Sequence, residues 1–101
     1  MRMIVFFDLP MVTSKDLTEY RYFRRFLLKN GFIMMQQSVY SKLVLNNNST
    51  KLLREQIIKN LPISGIIQLM TITEKQYSDI EFLVGKNKNK VIDTIERVVV
   101  L

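Results

Sequence analysis

The sequence predicts an α+β domain in which two helices cover one face of an antiparallel sheet. Three observations predict it. Apolar residues recur with period two and then with the helical period in the order β, α, β(β), α, β. The 101 residues fit one compact domain and leave no room for a second. Hydrophobic residues make up 48% and charged residues 24%, enough apolar material for a packed core and too much for wholesale disorder. A core of this size is small, so association with a partner is expected from the outset.

Residues 2–8 are short, β-branched and aromatic, and Asp8-Leu9-Pro10 ends the run, so they form a strand closed by a turn. On a strand Ile4, Phe6 and Asp8 share one face while Met3, Val5 and Phe7 share the other, which leaves a carboxylate at the end of an apolar row. Thr13 followed three residues later by Asp16 is a capping box, and Asn30-Gly31 is a stop signal, so a helix spans 14–30. Tyr20, Phe23 and Leu27, flanked by Leu17 and Phe26, form its core stripe. Arg21, Arg25 and Lys29 step by four along another face, with Arg24 beside them.

Residues 32–45 are β-rich but interrupted by Gln36-Gln37-Ser38, which fits either one bent strand or two short strands separated by a bulge or tight turn. Residues 46–49 make a polar turn and cap for a helix over 50–61, which buries Leu53, Ile57 and Leu61, ends before Pro62 and carries Lys51 and Arg54 outside. Residues 65–73 form a strand, apolar on the Ile66, Met70, Ile72 side and expected in the centre of the sheet. Beyond it, 80–84 suit a short edge strand and 85–90 a basic loop bearing Lys86, Lys88 and Lys90. The run 96–101 ends in Val98, Val99, Val100 and Leu101, a terminal strand that must pair with its own sheet or with another chain. Residues 1–101 therefore compose a single ferredoxin-like βαββαβ domain with extra C-terminal strand or strands. The uncovered apolar sheet face and the terminal strand argue for a homodimer.

Fifteen Lys and Arg against nine Asp and Glu give a net charge of +6, which directs attention to polyanions: nucleic acid or an anionic surface. No apolar run reaches the ~18 residues of a spanning helix, and the first strand turns acidic too soon for a secretory signal, so no membrane association and a cytoplasmic location are expected. With no Cys and no His, thiolate nucleophiles, imidazole bases and His-ligated metals fall away. Carboxylates, hydroxyls, amines and a hard metal ion held by oxygen remain.

Asp8 has two readings: a turn residue accepting backbone N–H bonds, or a metal ligand at a strand end. One carboxylate does not make a tight Mg²⁺ site, whereas two copies meeting across a dimer axis would, with waters completing the shell. The Arg21, Arg25, Lys29 stripe is either a solvated face or a phosphate-binding one. Exposed faces normally mix signs at a spacing of four, and this one repels itself, which favours phosphate. Aromatic residues lie on the core side of that helix, so backbone contact with a duplex fits better than base stacking. The Lys86, Lys88, Lys90 loop either touches nucleic acid or serves solubility. Ser38, Tyr40 and Ser41 have no visible base to activate them, and three glycines do not make a phosphate loop.

Met-Ile-Val-Phe-Phe-Asp-Leu-Pro at 3–10, Glu-Tyr-Arg-Tyr-Phe-Arg-Arg-Phe-Leu at 19–27, Asn-Gly-Phe at 30–32 and Gln-Gln-Ser-Val-Tyr at 36–40 resemble the small CRISPR adaptation protein, the second of the two universal CRISPR-associated proteins. The resemblance is closest to the type II-A branch and runs through 68–73 to the terminal strand. It implies a ferredoxin-like homodimer, a role in antiviral defence through spacer acquisition, and the family's label of magnesium-dependent endonuclease, or CRISPR-associated endoribonuclease. It also implies a dimer placed between two dimers of the CRISPR integrase subunit, with duplex prespacer DNA lying across it. Asp8 takes the place of the family's metal-binding aspartate, one from each chain, with Mg²⁺ between them.

Two functions of different class follow: a DNA-binding scaffold for the integrase, or a metal-dependent phosphodiesterase acting on RNA or DNA with Asp8 as its catalytic carboxylate. The second lacks a His, a second strand-end carboxylate and an evident base. A regulatory domain for a small ligand is a third reading, which the one-signed helix argues against.

Overall fold

A computed structural model describes residues 1–84 and arranges them as β1 (Arg2–Asp8), α1 (Ser14–Lys29), β2 (Ile33–Gln36), β3 (Val39–Leu43), α2 (Asn47–Lys59), β4 (Ile66–Ile72) and α3 (Glu74–Ser78). The four strands form one antiparallel sheet in the order β2-β3-β1-β4, the ferredoxin-like arrangement. Each β-α-β unit skips a position that the other fills, which is why β1 and β3 end up in the middle.

Alternation along β1 sorts the two faces of the sheet. Met3, Val5 and Phe7 point to the helix side and enter the core with Phe23 and Leu27 of α1, Leu53 and Ile57 of α2, and Leu9, Phe32, Tyr40 and Val44. Burying each large apolar side chain of this kind contributes about 1.5–3 kcal/mol. The opposite face carries Ile4, Phe6 and Asp8, and by register Ser41 and Ile33 on one side and Ile66, Gln68 and Met70 on the other. Ile4 is buried, but Ile33, Ile66 and Met70 remain 65%, 59% and 48% exposed, so the flanks of this face are apolar and open. Both helices lie on the other side, as the sequence implies.

Helix α1 begins as its sequence dictates. Thr13 Oγ1 accepts the Asp16 N–H at 3.0 Å, and Asp16 Oδ2 accepts the N–H groups of Thr13 at 3.0 Å and Val12 at 3.2 Å. These are amide donors that the first turn of a helix would otherwise leave unpaired. At the other end Asn30 caps α1, with its side-chain amide donating to the Phe26 carbonyl, and Gly31 follows at φ +87°.

Several elements differ from the sequence reading. The 32–45 region is not one of them: of the two arrangements left open it takes the second, two strands, β2 and β3, joined at Gln37-Ser38 with the pairing register shifting between Met34 and Gln36. Helix α2 starts at Asn47 rather than at residue 50, because Asn46 itself is the cap: its side chain accepts the Ser49 N–H and its carbonyl accepts from Thr50. The helix closes at Lys59, so Leu61 lies past its end and is 46% exposed instead of buried. Among the described residues β4 is an edge strand, not a central one, since β1 is its only partner. The segment 80–84 forms no strand, and ahead of it stands the short α3, with a Thr73/Gln76 capping box built like that of α1. The expected loop of Lys86, Lys88 and Lys90 and the strand of Val98, Val99, Val100 and Leu101 lie outside the described residues. No described helix is long and apolar enough to cross a membrane.

The Thr13 amide first, and then the Thr13 hydroxyl, the Val12 amide and the charge of Lys15, hold the Asp16 carboxyl below its usual value against the opposing effect of desolvation. A folded pKa below the unfolded one gives stability that is present above the unfolded pKa and fades as pH falls through the folded one. Asp16→Asn should therefore lower the Tm at neutral pH, and the difference from the natural chain should shrink on acidification. Thermal melts over a pH series test this.

Candidate nucleic-acid interface and the Asp8 cleft

The positive charge is carried by helices whose other side is anchored in the core. In α1, Phe23 and Leu27 are buried while Arg21, Arg24, Arg25 and Lys29 are all exposed. At about 100° per residue, Arg21 and Arg25 fall on the side away from Phe23, with Arg24 and Lys29 on opposite flanks. In α2, Leu53 and Ile57 are buried and Lys51 and Arg54 exposed, with Lys51 outermost. Tyr22 Oη donates to Asn60 Oδ1 at 2.9 Å, tying α1 to the C-cap of α2. The six predicted basic residues that are described thus belong to one layer on one side of the sheet. The ion pairs of the described residues are Arg2–Glu74 and Lys75–Asp79, so none of the six is neutralised within them. Lys59, exposed in the last turn of α2 and eight residues beyond Lys51, joins this layer; Glu55 midway between them interrupts the run of one sign and hides it in the sequence.

Asp8 stands elsewhere, at the end of β1 on the sheet face opposite α1 and α2. It is exposed and lines a cleft of about 180 Å³ with Phe6, Phe7, Ser38, Val39, Ile66 and Gln68. Two backbone links fix its place. The Phe7 N–H donates to the Ser38 carbonyl at 3.0 Å, and Asp8 pairs with Ile66 across the β1–β4 ladder. Its carboxylate accepts no hydrogen bond among the described residues, so the backbone-accepting turn, one of the two readings of Asp8, is not seen there.

The cleft offers oxygen donors only: the Asp8 carboxylate, the Gln68 amide and the Ser38 hydroxyl. That set suits a hard divalent cation in kind. In number it falls short, because one copy brings a single carboxylate, and no three acidic, His or Cys side chains gather among the described residues. Gln68 is not singled out by the sequence reading, although it is the one polar residue in the apolar alternation of Ile66, Met70 and Ile72. Tyr40 and Ser41 are fully buried, which removes their hydroxyls from any substrate. A larger cleft of about 490 Å³ lies between β3 and α2, where Lys42 and Gln56 are set among Leu43, Leu45, Leu52 and Leu53; it holds no carboxylate.

Comparison with known proteins bears on these features. The family model described as CRISPR associated protein Cas2 matches residues 1–80. A CRISPR-associated endoribonuclease Cas2 of Treponema denticola is 48% identical over 101 residues, with all of both chains covered. A protein of the same name from Ligilactobacillus salivarius is 43% identical over the full length of both. One from Streptococcus mutans is 44% identical over all of this chain and 93% of its own. The crystal structure of Streptococcus pyogenes Cas2 at pH 6.5 superposes with a TM-score of 0.63, covering 80% of this chain and 96% of that one; at 12% identity it speaks to the fold alone.

Since the Asp8 carboxylate is exposed and takes no hydrogen bond from the described residues, Asp8→Asn should change unfolding free energy by less than about 0.5 kcal/mol. Urea denaturation of the two forms measures it, and a larger change would mean that the carboxylate has a structural partner.

Proposed function

The chain belongs to the CRISPR-associated Cas2 family, and from that premise we propose that it is the adaptation subunit whose homodimer holds duplex DNA for the CRISPR integrase subunit during spacer acquisition. The observation that carries this reading is the single-signed stripe of exposed cations on α1, joined on α2 by Lys51, Arg54 and Lys59, among which Glu55 is the one exposed acid of that helix. Arg21, Arg25 and Lys29 accept mutual repulsion at a spacing of four, and a phosphate backbone relieves it. Contacts of this kind position a duplex without reading its bases, which suits a protein that must accept many sequences. Pairing two copies through the open sheet face would cover Ile33, Ile66 and Met70 and leave both helix layers outward, so that one duplex meets basic residues from each protomer.

The second reading is a Mg²⁺-dependent endonuclease acting on single-stranded RNA or double-stranded DNA, in keeping with the endoribonuclease names of the relatives. It is favoured by one observation, an exposed carboxylate in a cleft whose donors are all oxygen. Two Asp8 side chains, one per protomer, would hold the ion, with Gln68 and Ser38 beside them. When bound, Mg²⁺ supplies positive charge against the scissile phosphate. Asp8 would orient it, while Phe6 and Val39 restrict water on the inner wall. No described side chain in the cleft is placed as a general base, so the chain contributes positioning more than proton transfer.

Two measurements test these readings. Replacing Arg21 and Arg25 by Ala should flatten the slope of log K against log salt for duplex binding by roughly 0.9 for each phosphate no longer neutralised; an unchanged slope moves the binding surface off α1. Asp8→Asn should leave dimerisation and spacer acquisition near natural levels and abolish metal-dependent cleavage. Failed acquisition with an intact dimer and normal assembly with the integrase subunit would overturn the scaffold reading of Asp8.

A further inference from the structure

We propose that Gly65 is a positioning residue for Asp8, holding the peptide that carries the carboxylate where two copies can share one ion; the inference rests on the metal-site reading of Asp8 given above. Gly65 immediately precedes Ile66, the residue paired with Asp8, and has φ +102°. A Cβ at this position would lie 2.6 Å from Leu9 Cδ2, 2.8 Å from the Asp8 carbonyl oxygen and 3.2 Å from Leu9 Cα. Real Cβ atoms essentially never come as close as the first two, the third is tighter than nearly all, and two of the three neighbours are backbone. Leu9 is itself part of the core, so its side chain has little room to yield. Any larger residue therefore has to displace the Asp8-Leu9 peptide, in addition to adopting a φ that L residues avoid.

The consequence falls on the carboxylate because no side chain among the described residues restrains it. Asp8 accepts no side-chain hydrogen bond among the described residues, so its oxygens go where the backbone takes them. Mg²⁺ requires ligand distances of about 2.0–2.1 Å. With one Asp8 from each protomer, a displacement enters the site twice.

Gly31 supplies the control. It too has positive φ, +87°, but a Cβ there meets only the tip of Lys42, with Nζ at 2.6 Å and the next atom at 3.8 Å. Gly31→Ala thus carries a similar backbone strain far from Asp8.

The test is titration with Mn²⁺, followed by electron paramagnetic resonance of the free ion, on the full-length natural chain and on Asp8→Asn, Gly65→Ala and Gly31→Ala. Asp8→Asn should remove the tightest binding, Gly65→Ala should weaken it by about tenfold or more, as removal of a ligand-orienting group does, and Gly31→Ala should leave it within about twofold while still lowering the Tm. A folded Gly65→Ala protein with natural affinity, or equal weakening in the two glycine variants, overturns the proposal. Should Gly65→Ala not fold, Leu9→Ala/Gly65→Ala removes the 2.6 Å conflict but keeps the one with the Asp8 carbonyl; natural affinity in that variant has the same adverse meaning. If Asp8→Asn binds Mn²⁺ as the natural chain does, the metal-site reading fails on its own. The positioning is then judged from the Asp8 amide resonance, which must move in Gly65→Ala and stay in Gly31→Ala.

Discussion

Phe7 is the contact on which the rest of this molecule depends. Its ring meets Phe23 edge-on at 5.4 Å, Tyr20 at 5.9 Å, and stacks on Tyr40 at 5.6 Å, so one side chain of β1 joins α1 and β3. Aromatic pairs in these geometries contribute about 0.5–1.5 kcal/mol each beyond area burial. More important is what this does to the neighbours in sequence. With Phe7 locked inward, the pleat obliges Phe6 and Asp8 to face the other way. The same residue that closes the core therefore turns Asp8 out of it, and a slip of one position would bury the carboxylate and expose the ring.

That division runs through the whole domain. Charge is concentrated where α1 and α2 have committed their apolar stripes to the core, and apolar surface is left at the flanks of the opposite sheet face, at Ile33, Ile66 and Met70. The two surfaces make opposite demands on a partner: the helix layer suits a polyanion at low salt, whereas the sheet face suits another apolar surface at any salt. On the function proposed above, a duplex and a second copy of the chain would therefore engage different surfaces. Asp8, at the margin of the apolar face, would be brought toward its own counterpart by such pairing.

Much of this is legible in the sequence because local and tertiary signals agree. The alternation of residues 2–8, the Thr13/Asp16 box and the Asn30-Gly31 stop each act within a few residues, and each is found as read. The start of α2 is obscured by the abundance of equivalent caps in Asn46-Asn47-Asn48-Ser49, where only the structure selects the side chain that reaches the Ser49 amide. The rank of β4 in the sheet is not legible, because an apolar run looks the same whether a second strand or another molecule covers it. α3 escapes notice although Thr73 and Gln76 repeat the signature of the first helix; at five residues it offers no apolar period to detect. Of the Asp8 cleft, the carboxylate stands out, but Ser38, Gln68 and the close approach of Gly65 arise from register between distant strands and have no local signature.

The capped turn of α3 has one more effect. Arg2 Nε donates to both Glu74 carboxylate oxygens, at 3.2 and 3.0 Å, and its guanidinium lies 4.3 Å over the Tyr77 ring. This fastens the chain after β4 to the beginning of β1, whereas Asp8 occupies the end of β1. A strand of that length spans about 20 Å, so β1 has two poles, one with the carboxylate and one to which α3 is fastened. A partner holding α3 would sit about a strand's length from the cleft, so that among the described residues the two poles are approached separately.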